Sequence, residues 1–391
     1  MMKIIIAPDS FKESLTAAEV SQAIENGMKS IFPSAEYVKL PMADGGEGTV
    51  QSLVYATGGK LVSKVVTGPL GEPVSSFFGI LGDGKTAVIE MAAAAGLDLV
   101  PRENRNPLVT TSYGVGELIL EALNYDIEKI IIGLGGSATN DAGAGMLQAL
   151  GVHFLTDKGS EIGFGGGELK EIRTIDVSRL DERLKLISFE VACDVDTPLV
   201  GPRGASAIFG PQKGATPDMV KVLDGCFVHF ADCIQQTIGK EIRNIPGTGA
   251  AGGLGGGIIA FLQAELKSGI DIVMEAAKLS EHLADADLVI TGEGKIDQQT
   301  VFGKTPIGVA KAAKNYNLPV IAVAGQLGTG SGTVKDHGID ALFSVVPGVI
   351  ELDTALKNAG QYVERCAENI GAALRLGMDL KTYKELGVII S

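Results

Sequence analysis

Residues 130–151 read IIIGLGGSATNDAGAGMLQALG. A run of isoleucines enters a glycine-rich turn and a helical pattern leaves it, so the stretch predicts a strand–loop–helix corner. Gly133, Gly135 and Gly136 remove side chains where the chain must bend, which lets a ligand lie against the backbone. Ser137, Thr139, Asn140 and Asp141 follow, the last three at the expected start of the helix as cap candidates. A helix N-terminus offers free N–H groups and a partial positive charge, which suits an anion such as phosphate. A loop that only turned the chain would not need so many polar groups, and these four are candidate phosphate or substrate ligands together with Gly135 and Gly136.

The flanking chain shows two textures. Lys3 to Ala7 reads as a buried strand, and Pro8-Asp9-Ser10 as the loop leaving it. Thr16 and Glu19 form a capping box, and Val20, Ile24, Met28 and Ile31 recur at helical spacing until Pro33. Tyr37 to Leu40 is a second strand, leading into PMADGGEGT. This is the opening of a parallel α/β sheet. From about Leu61 short apolar runs alternate with Gly and Pro turns, and Asp83-Gly84 signals a hairpin. Near Ala286 the first texture returns, with strands predicted at 287–291, 319–324 and 341–346 and helices at 307–315 and 352–376. The expected fold is α/β. A Rossmann-like or flavodoxin-like parallel domain, residues 1–62 with 286–391, carries an inserted mixed α/β domain, residues 63–285.

The chain has 33 Lys and Arg against 47 Asp and Glu, a net charge of −14. A duplex-binding protein carries a basic face, so nucleic acid is not an expected partner. Any site for an anionic substrate must then be locally basic. The four cysteines form no C-x-x-C pair and fit a reducing compartment. The N-terminal apolar run is too short for a signal peptide, and no uncharged apolar stretch reaches membrane length. The expectation is a cytoplasmic protein with no membrane association. The sequence admits a homodimer without specifying one.

Several further motifs bear on chemistry. The string Gly79 to Thr86 has phosphate-loop spacing, but it lies in a hairpin context and reads as a chance match. Gly133-x-Gly135-x-x-Ala138 approaches a dinucleotide fingerprint, and Asp157 is a poor fit for the acidic residue that fingerprint expects. In ACDVD, Asp194 and Asp196 stand two apart after a strand-like run. In a strand both would face one side, and magnesium on a nucleotide takes one or two carboxylates. FGPQKGA supplies Lys213, a candidate phosphate clamp. GEGKIDQQTVFGKTP follows a clear strand and offers Glu293, Asp297, Thr300 and Lys304. PDSFK offers Ser10 and Lys12, and ADGGEG offers Asp44 and Glu47. The glycine-dense loop 247–257, with Gly253, is a second candidate cradle. The four histidines have no metal spacing and read as structural. Lysines, paired acids and anion-receiving loops fit phosphoryl transfer, where a protein mainly positions groups and neutralises charge.

APDSFK, PMADGGEGT, GGSATNDAGAGMLQALG, CDVDTPL, FGPQKGA, GAAGGLGGG and VITGEGKIDQQTVFGKTPIGVA together resemble the class I bacterial glycerate kinases, from about residue 2 to 375. The resemblance implies ATP-dependent phosphorylation of D-glycerate with magnesium, 2-phosphoglycerate being favoured over 3-phosphoglycerate, and an active site in a cleft between two domains. Glu13, Ala142 and Thr197 stand where the family pattern has Gly, Gly and Asn. On this reading Lys12, Asp44, Asp194 and Lys304 are the catalytic candidates. Asp194 is first choice for general base or metal ligand, with Asp196 as a second ligand to Mg2+. A non-catalytic hydroxy-acid or nucleotide sensor and an NAD-dependent hydroxy-acid dehydrogenase are the competing expectations.

Overall fold

The computed structural model describes residues 1–385. Residues 386–391, which the sequence reading includes in the discontinuous domain, lie outside the described residues. In chain order the strands are β1 (Lys3–Ile6), β2 (Glu36–Lys39), β3 (Lys60–Thr67), β4 (Pro73–Ile80), β5 (Thr86–Glu90), β6 (Lys129–Gly133), β7 (His153–Leu155), β8 (Thr174–Asp176), β9 (Ser188–Ala192), β10 (Glu265–Lys267), β11 (Leu288–Ile296), β12 (Val320–Leu327) and β13 (Ala341–Ser344). Two compact units are present: Met1–Asp44 with the chain from Val273 onward, and Gly45–Ile272. The divisions fall at 44/45 and 272/273, whereas the change of texture put them at 62/63 and 285/286. The reason is packing that texture does not reveal. β3 pairs along its whole length with β4 of the inserted unit. The helix Leu279–Leu283 packs on the helix Thr305–Lys314 of the discontinuous one.

The discontinuous unit holds a five-stranded sheet in the order β13-β12-β11-β1-β2, every pair parallel. Counted within the unit this is 2-1-3-4-5, the flavodoxin-like order, whose direction reverses between β1 and β11. Ile4, Ile5 and Ile6 are all fully buried, as expected of a strand covered on both faces. The helix Ala17–Ile31 starts at the Thr16–Glu19 capping box and buries Val20, Ile24 and Met28. Each of those side chains contributes roughly 2 kcal/mol by leaving water. The long helix Ala359–Glu385 lies against it. Gly27 allows that approach, because a Cβ there would stand 2.1 Å from the Glu364 carbonyl oxygen. The predicted 352–376 helix is in fact two, Leu352–Lys357 and Ala359–Glu385, interrupted at Asn358.

The inserted unit holds a six-stranded sheet in the order β10-β9-β6-β5-β4-β3. β10, β9, β6 and β5 run parallel, while β3, β4 and β5 form antiparallel hairpins. Gly79 to Thr86 is the end of β4, its turn and the start of β5, so no helix follows it. The glycine-dense segment is a loop only to Gly253. Leu254 opens a helix to Leu262, and Glu265–Lys267 is strand. Among the described residues no helix is long and apolar enough to cross a membrane, and the four cysteines are free thiols.

Candidate active site

In the discontinuous unit the sequence candidates gather at the carboxyl ends of β1 and β11, where the strand order reverses. Open α/β sheets bind ligands at such a point. The chain leaves β1 as Ala7-Pro8-Asp9, and the Asp9 N–H donates to the Gly292 carbonyl at 2.8 Å. Asp9 Oδ1 accepts from the Ser10 N–H at 2.6 Å, and Oδ2 accepts from the Thr305 hydroxyl at 2.6 Å. Burial pushes the Asp9 carboxyl up to about 6, with Asp44 adding to the rise and Thr305, Ser10 and Lys12 opposing it. Ser10 therefore orients Asp9. Lys12 is exposed.

Glu293 was expected in a loop. β11 runs on to Ile296, so Glu293 is a buried strand residue. Its Oε1 accepts from the Thr300 hydroxyl at 2.6 Å, and Lys304 Nζ lies 3.5 Å from Oε2. Burial raises the Glu293 carboxyl, the Thr300 hydroxyl and Lys304 pull it down, and Asp9 adds a smaller push upward. Asp297 does not join them. Its carboxylate pairs with Lys295 at 3.0 Å and accepts from the Gln299 N–H at 2.9 Å, and it closes the turn that carries Thr300. Lys304 is the N-cap residue of the helix Thr305–Lys314, and its side chain makes no capping bond. The N-terminus of this ten-residue helix thus opens beside Asp9 and Glu293, held there by Thr305. A lysine pair, the half-buried Asp9, the buried Glu293 and a helix N-terminus form one anion-receiving and proton-accepting group.

In the inserted unit the central corner differs from its prediction. β6 ends at Gly133, but the helix starts only at Ala144, with Gly143 as N-cap. Thr139, Asn140 and Asp141 belong to the intervening loop. The cause is Asp141, which is fully buried. It accepts from the Ser112 N–H and hydroxyl at 2.8 Å each, from the Gly143 N–H at 3.2 Å and from the Gly145 N–H at 3.3 Å. It is a scaffold carboxylate, with burial raising its pKa against these bonds. Asn140 donates to Ser206 Oγ at 2.9 Å. The buried Thr139 Oγ1 and Asn140 Oδ1 have no hydrogen-bond partner among the described residues.

Lys213 does not present its ammonium to solvent. The residue is 1% exposed, and Nζ donates to Ser137 Oγ at 2.7 Å and to the Thr139 carbonyl at 2.6 Å. Burial drives it down to about 7, with Asp141 opposing. It ties the corner together from behind. Gly253 also backs the corner instead of lining a cradle: a Cβ there would stand 2.8 Å from the Ala142 Cα. What the corner exposes is Gly135 and Gly136. Bare glycines bring other segments onto it. A Cβ on Gly135 would reach the Gly46 Cα at 2.8 Å, and one on Gly45 would reach the Ala192 Cβ at 2.6 Å.

The two acids after β9 lie beyond the strand, which ends at Ala192, so strand alternation does not align them. Asp194 is exposed, and its Oδ1 accepts from the Gly269 N–H at 2.9 Å, at the start of the helix Gly269–Ala276. Asp196 is directed to Arg203 at 3.5 Å. The dinucleotide fingerprint needs a helix directly after its glycines, and here residues 134–143 intervene. Three further residues shape these groups without carrying a motif of their own. Asp9 and Thr305 were present as polar residues at strand end and helix start. Glu90, an acid closing the apolar run TAVIE, accepts from the Val50 N–H at 2.7 Å and secures the PMADGGEGT loop.

Residues 4–375 match the model of the glycerate kinase family. The chain belongs to that family. Among its relatives, the glycerate kinase of Bacillus subtilis (strain 168) is 62% identical over 375 residues, covering 96% of this chain and 98% of that one. The glycerate 2-kinase of Escherichia coli (strain K12) is 57% identical over 377 residues, covering 96% and 99%. A crystal structure from Salmonella typhimurium LT2, described as a glycerate kinase 2, superposes with a TM-score of 0.90 at 53% identity and covers 97% of this chain and 99% of that one. As a glycerate kinase family member the chain is a small-molecule kinase, an ATP-using transferase.

Proposed function

We propose that this enzyme transfers the γ-phosphoryl group of ATP to the 2-hydroxyl of D-glycerate. The observation that carries the reading is the group Asp9, Glu293, Lys12 and Lys304 at the strand-order reversal, with a helix N-terminus beside it. In the proposed step the glycerate O2 attacks the γ-phosphorus. The bond to the β–γ bridging oxygen breaks and ADP leaves, while the hydroxyl proton passes to Asp9. A carboxylate titrating near 6 is ionised at neutral pH yet basic enough to take that proton. Lys12 and Lys304 neutralise phosphate charge, and Asp44 and Glu293 hold the field in which Asp9 works. Gly135, Gly136 and Ser137 offer backbone to an anionic group, and Asp141, Asn140, Thr139, Lys213 and Gly253 fix that loop.

Magnesium enters with the nucleotide as MgATP. Among the described residues no three His, Cys, Asp or Glu are grouped to hold a resident metal. Nucleotide-borne magnesium asks only for one or two carboxylates besides phosphate oxygens and water, and the exposed Asp194 suits that demand better than Asp196. The four free thiols support a cytoplasmic setting. A coupled ADP-release assay with D-glycerate tests the reading, and phosphorus NMR of the product distinguishes the 2- from the 3-phosphate. Glycerate binding without ADP release would leave only a sensor, and turnover with NAD would replace the kinase reading altogether.

A further inference from the structure

The discontinuous unit contains a cavity of about 640 Å³ that meets the group above at Lys12. It lies at the carboxyl ends of β11, β12 and β13, and residues 348–362 close its far side. Its walls include Phe11, Val346, Ile350 and Tyr362, with Ser14, Gln326 and Ser344 as polar side chains. Among the described residues Lys12 is the one charged residue lining it. β12 runs to Leu327, whereas its pairing with β13 ends at Ala324 and Ser344. Residues 325–327 therefore outrun their neighbour and present strand backbone along the cavity. Two glycines let the backbone segments of its wall pack closely together. A Cβ on Gly325 would meet the Gly294 carbonyl oxygen at 2.7 Å, and one on Gly294 would meet the Phe11 Cα at 3.4 Å.

We infer that this cavity seats the adenine base of the nucleotide, an inference that rests on the kinase reading above. The volume falls in the range of small-molecule sites, about 300–1,000 Å³. Glycerate is too small and too polar for walls of this kind, and they contain no charge that could hold its carboxylate away from Lys12. A flat heterocycle with a hydrogen-bonding edge fits: aromatic and aliphatic side chains cover its faces, while strand backbone at 325–327 and Gln326 meet its edge. The direction of the ligand follows from shared residues. Gly294 lines the cavity and is bonded to Glu293, and Lys12 stands in the loop after Asp9. A base held here would send its phosphates toward Lys12, Lys304 and the Thr305 helix N-terminus.

The half-buried Ala355 lines the cavity from the helix Leu352–Lys357, so Ala355→Phe fills it without replacing any of the acids or lysines. We expect KM for ATP to rise about tenfold or more while KM for D-glycerate stays within about twofold, with adenosine losing its competition against ATP. Gln326→Ala, which removes an edge partner without adding bulk, should raise KM for ATP in the same direction. Photolabelling of the full-length wild type with 8-azido-ATP should modify the peptide spanning 344–362, and ATP should protect it. Unchanged KM for ATP in both variants, folded by thermal melt, or ATP-protected labelling confined to another segment would overturn the inference. Absence of glycerate-dependent ADP release in the wild type would instead overturn the kinase reading, and protected labelling of 344–362 would still support the base site.

Discussion

The Thr305 hydroxyl donates to Asp9 Oδ2 at 2.6 Å and so joins the end of β1 to the first residue of a helix 296 positions later. Through that one bond the loop PDSFK and the loop GKTP become parts of a single group. It aims the Asp9 carboxylate and holds the helix N-terminus beside it.

Asp9→Asn should lower kcat by about 10²- to 10⁴-fold, the usual range for loss of a general base. Turnover by the wild type should rise with pH through about 6, and the variant should lack that limb. Stability moves the opposite way. The folded carboxyl is raised from 3.8 to about 6, so between those values the folded state binds more protons than the unfolded. Its contribution is full below 3.8 and is lost as pH rises through about 6. Urea melts should therefore show Asp9→Asn gaining on the wild type from pH 4 to pH 7. A variant with normal turnover would remove Asp9 from the mechanism.

Asp194→Asn keeps an acceptor for the Gly269 N–H, so the helix start should survive. Its kcat should fall about a hundredfold or more if the carboxylate meets the magnesium of MgATP. Asp194→Ala should add a loss of about 0.5–2 kcal/mol from the missing cap. Calorimetry and steady-state kinetics on the pair separate the two roles. Equal melting with equal kcat in Asp194→Asn and wild type would confine Asp194 to capping.

Lys213→Met removes a buried amine from behind the central corner. Burial lowers that amine from 10.5 to about 7, so across that window the folded state binds fewer protons than the unfolded. Wild-type stability should thus rise with pH from about 7 toward 10, and the variant should lose most of this rise. The Thr139 carbonyl and Ser137 hydroxyl also lose their donor, so substrate KM should increase even where the variant is stable. Matching stability profiles from pH 6 to pH 9.5 would show that Lys213 is not held neutral.

Glu13→Gly should stabilise. Glu13 is exposed and has φ 63, a left-handed conformation that costs a residue with a Cβ about 1–2 kcal/mol. Glycine removes most of that cost and returns part of it as extra freedom in the unfolded chain, leaving a gain of under about 1 kcal/mol. Thermal melting with unchanged KM for glycerate is the expected pair of readings. Ala142, at φ 52, shares the conformation but is buried, so its methyl offsets the same gain.

Much of the architecture was legible because it is periodic. Isoleucine runs, the capping box at Thr16 and the return of texture near Ala286 each report a local preference that the fold keeps. The corner at 133–151 was legible as a bend, but its helix cap, expected at 139–141, lies at Gly143. No local rule says that Asp141 will be buried and accept from four donors. Glu293 was assigned to a loop because glycines flank it; β12 pairs with that stretch and makes it strand.

By itself the chain order determined which residues can be strand, helix or turn, and which loops carry acids, lysines and bare backbone, since those depend on neighbours within a few positions. It also carried the motifs that mark the family. Whether a polar residue meets ligand or scaffold was decided only in three dimensions. Lys213 and Asp141 looked like ligands and are buried supports, while Asp9, an unremarked loop residue, stands at the strand-order reversal with a raised pKa. The physical reason is desolvation and hydrogen bonding from partners tens to hundreds of residues away, which no local pattern records.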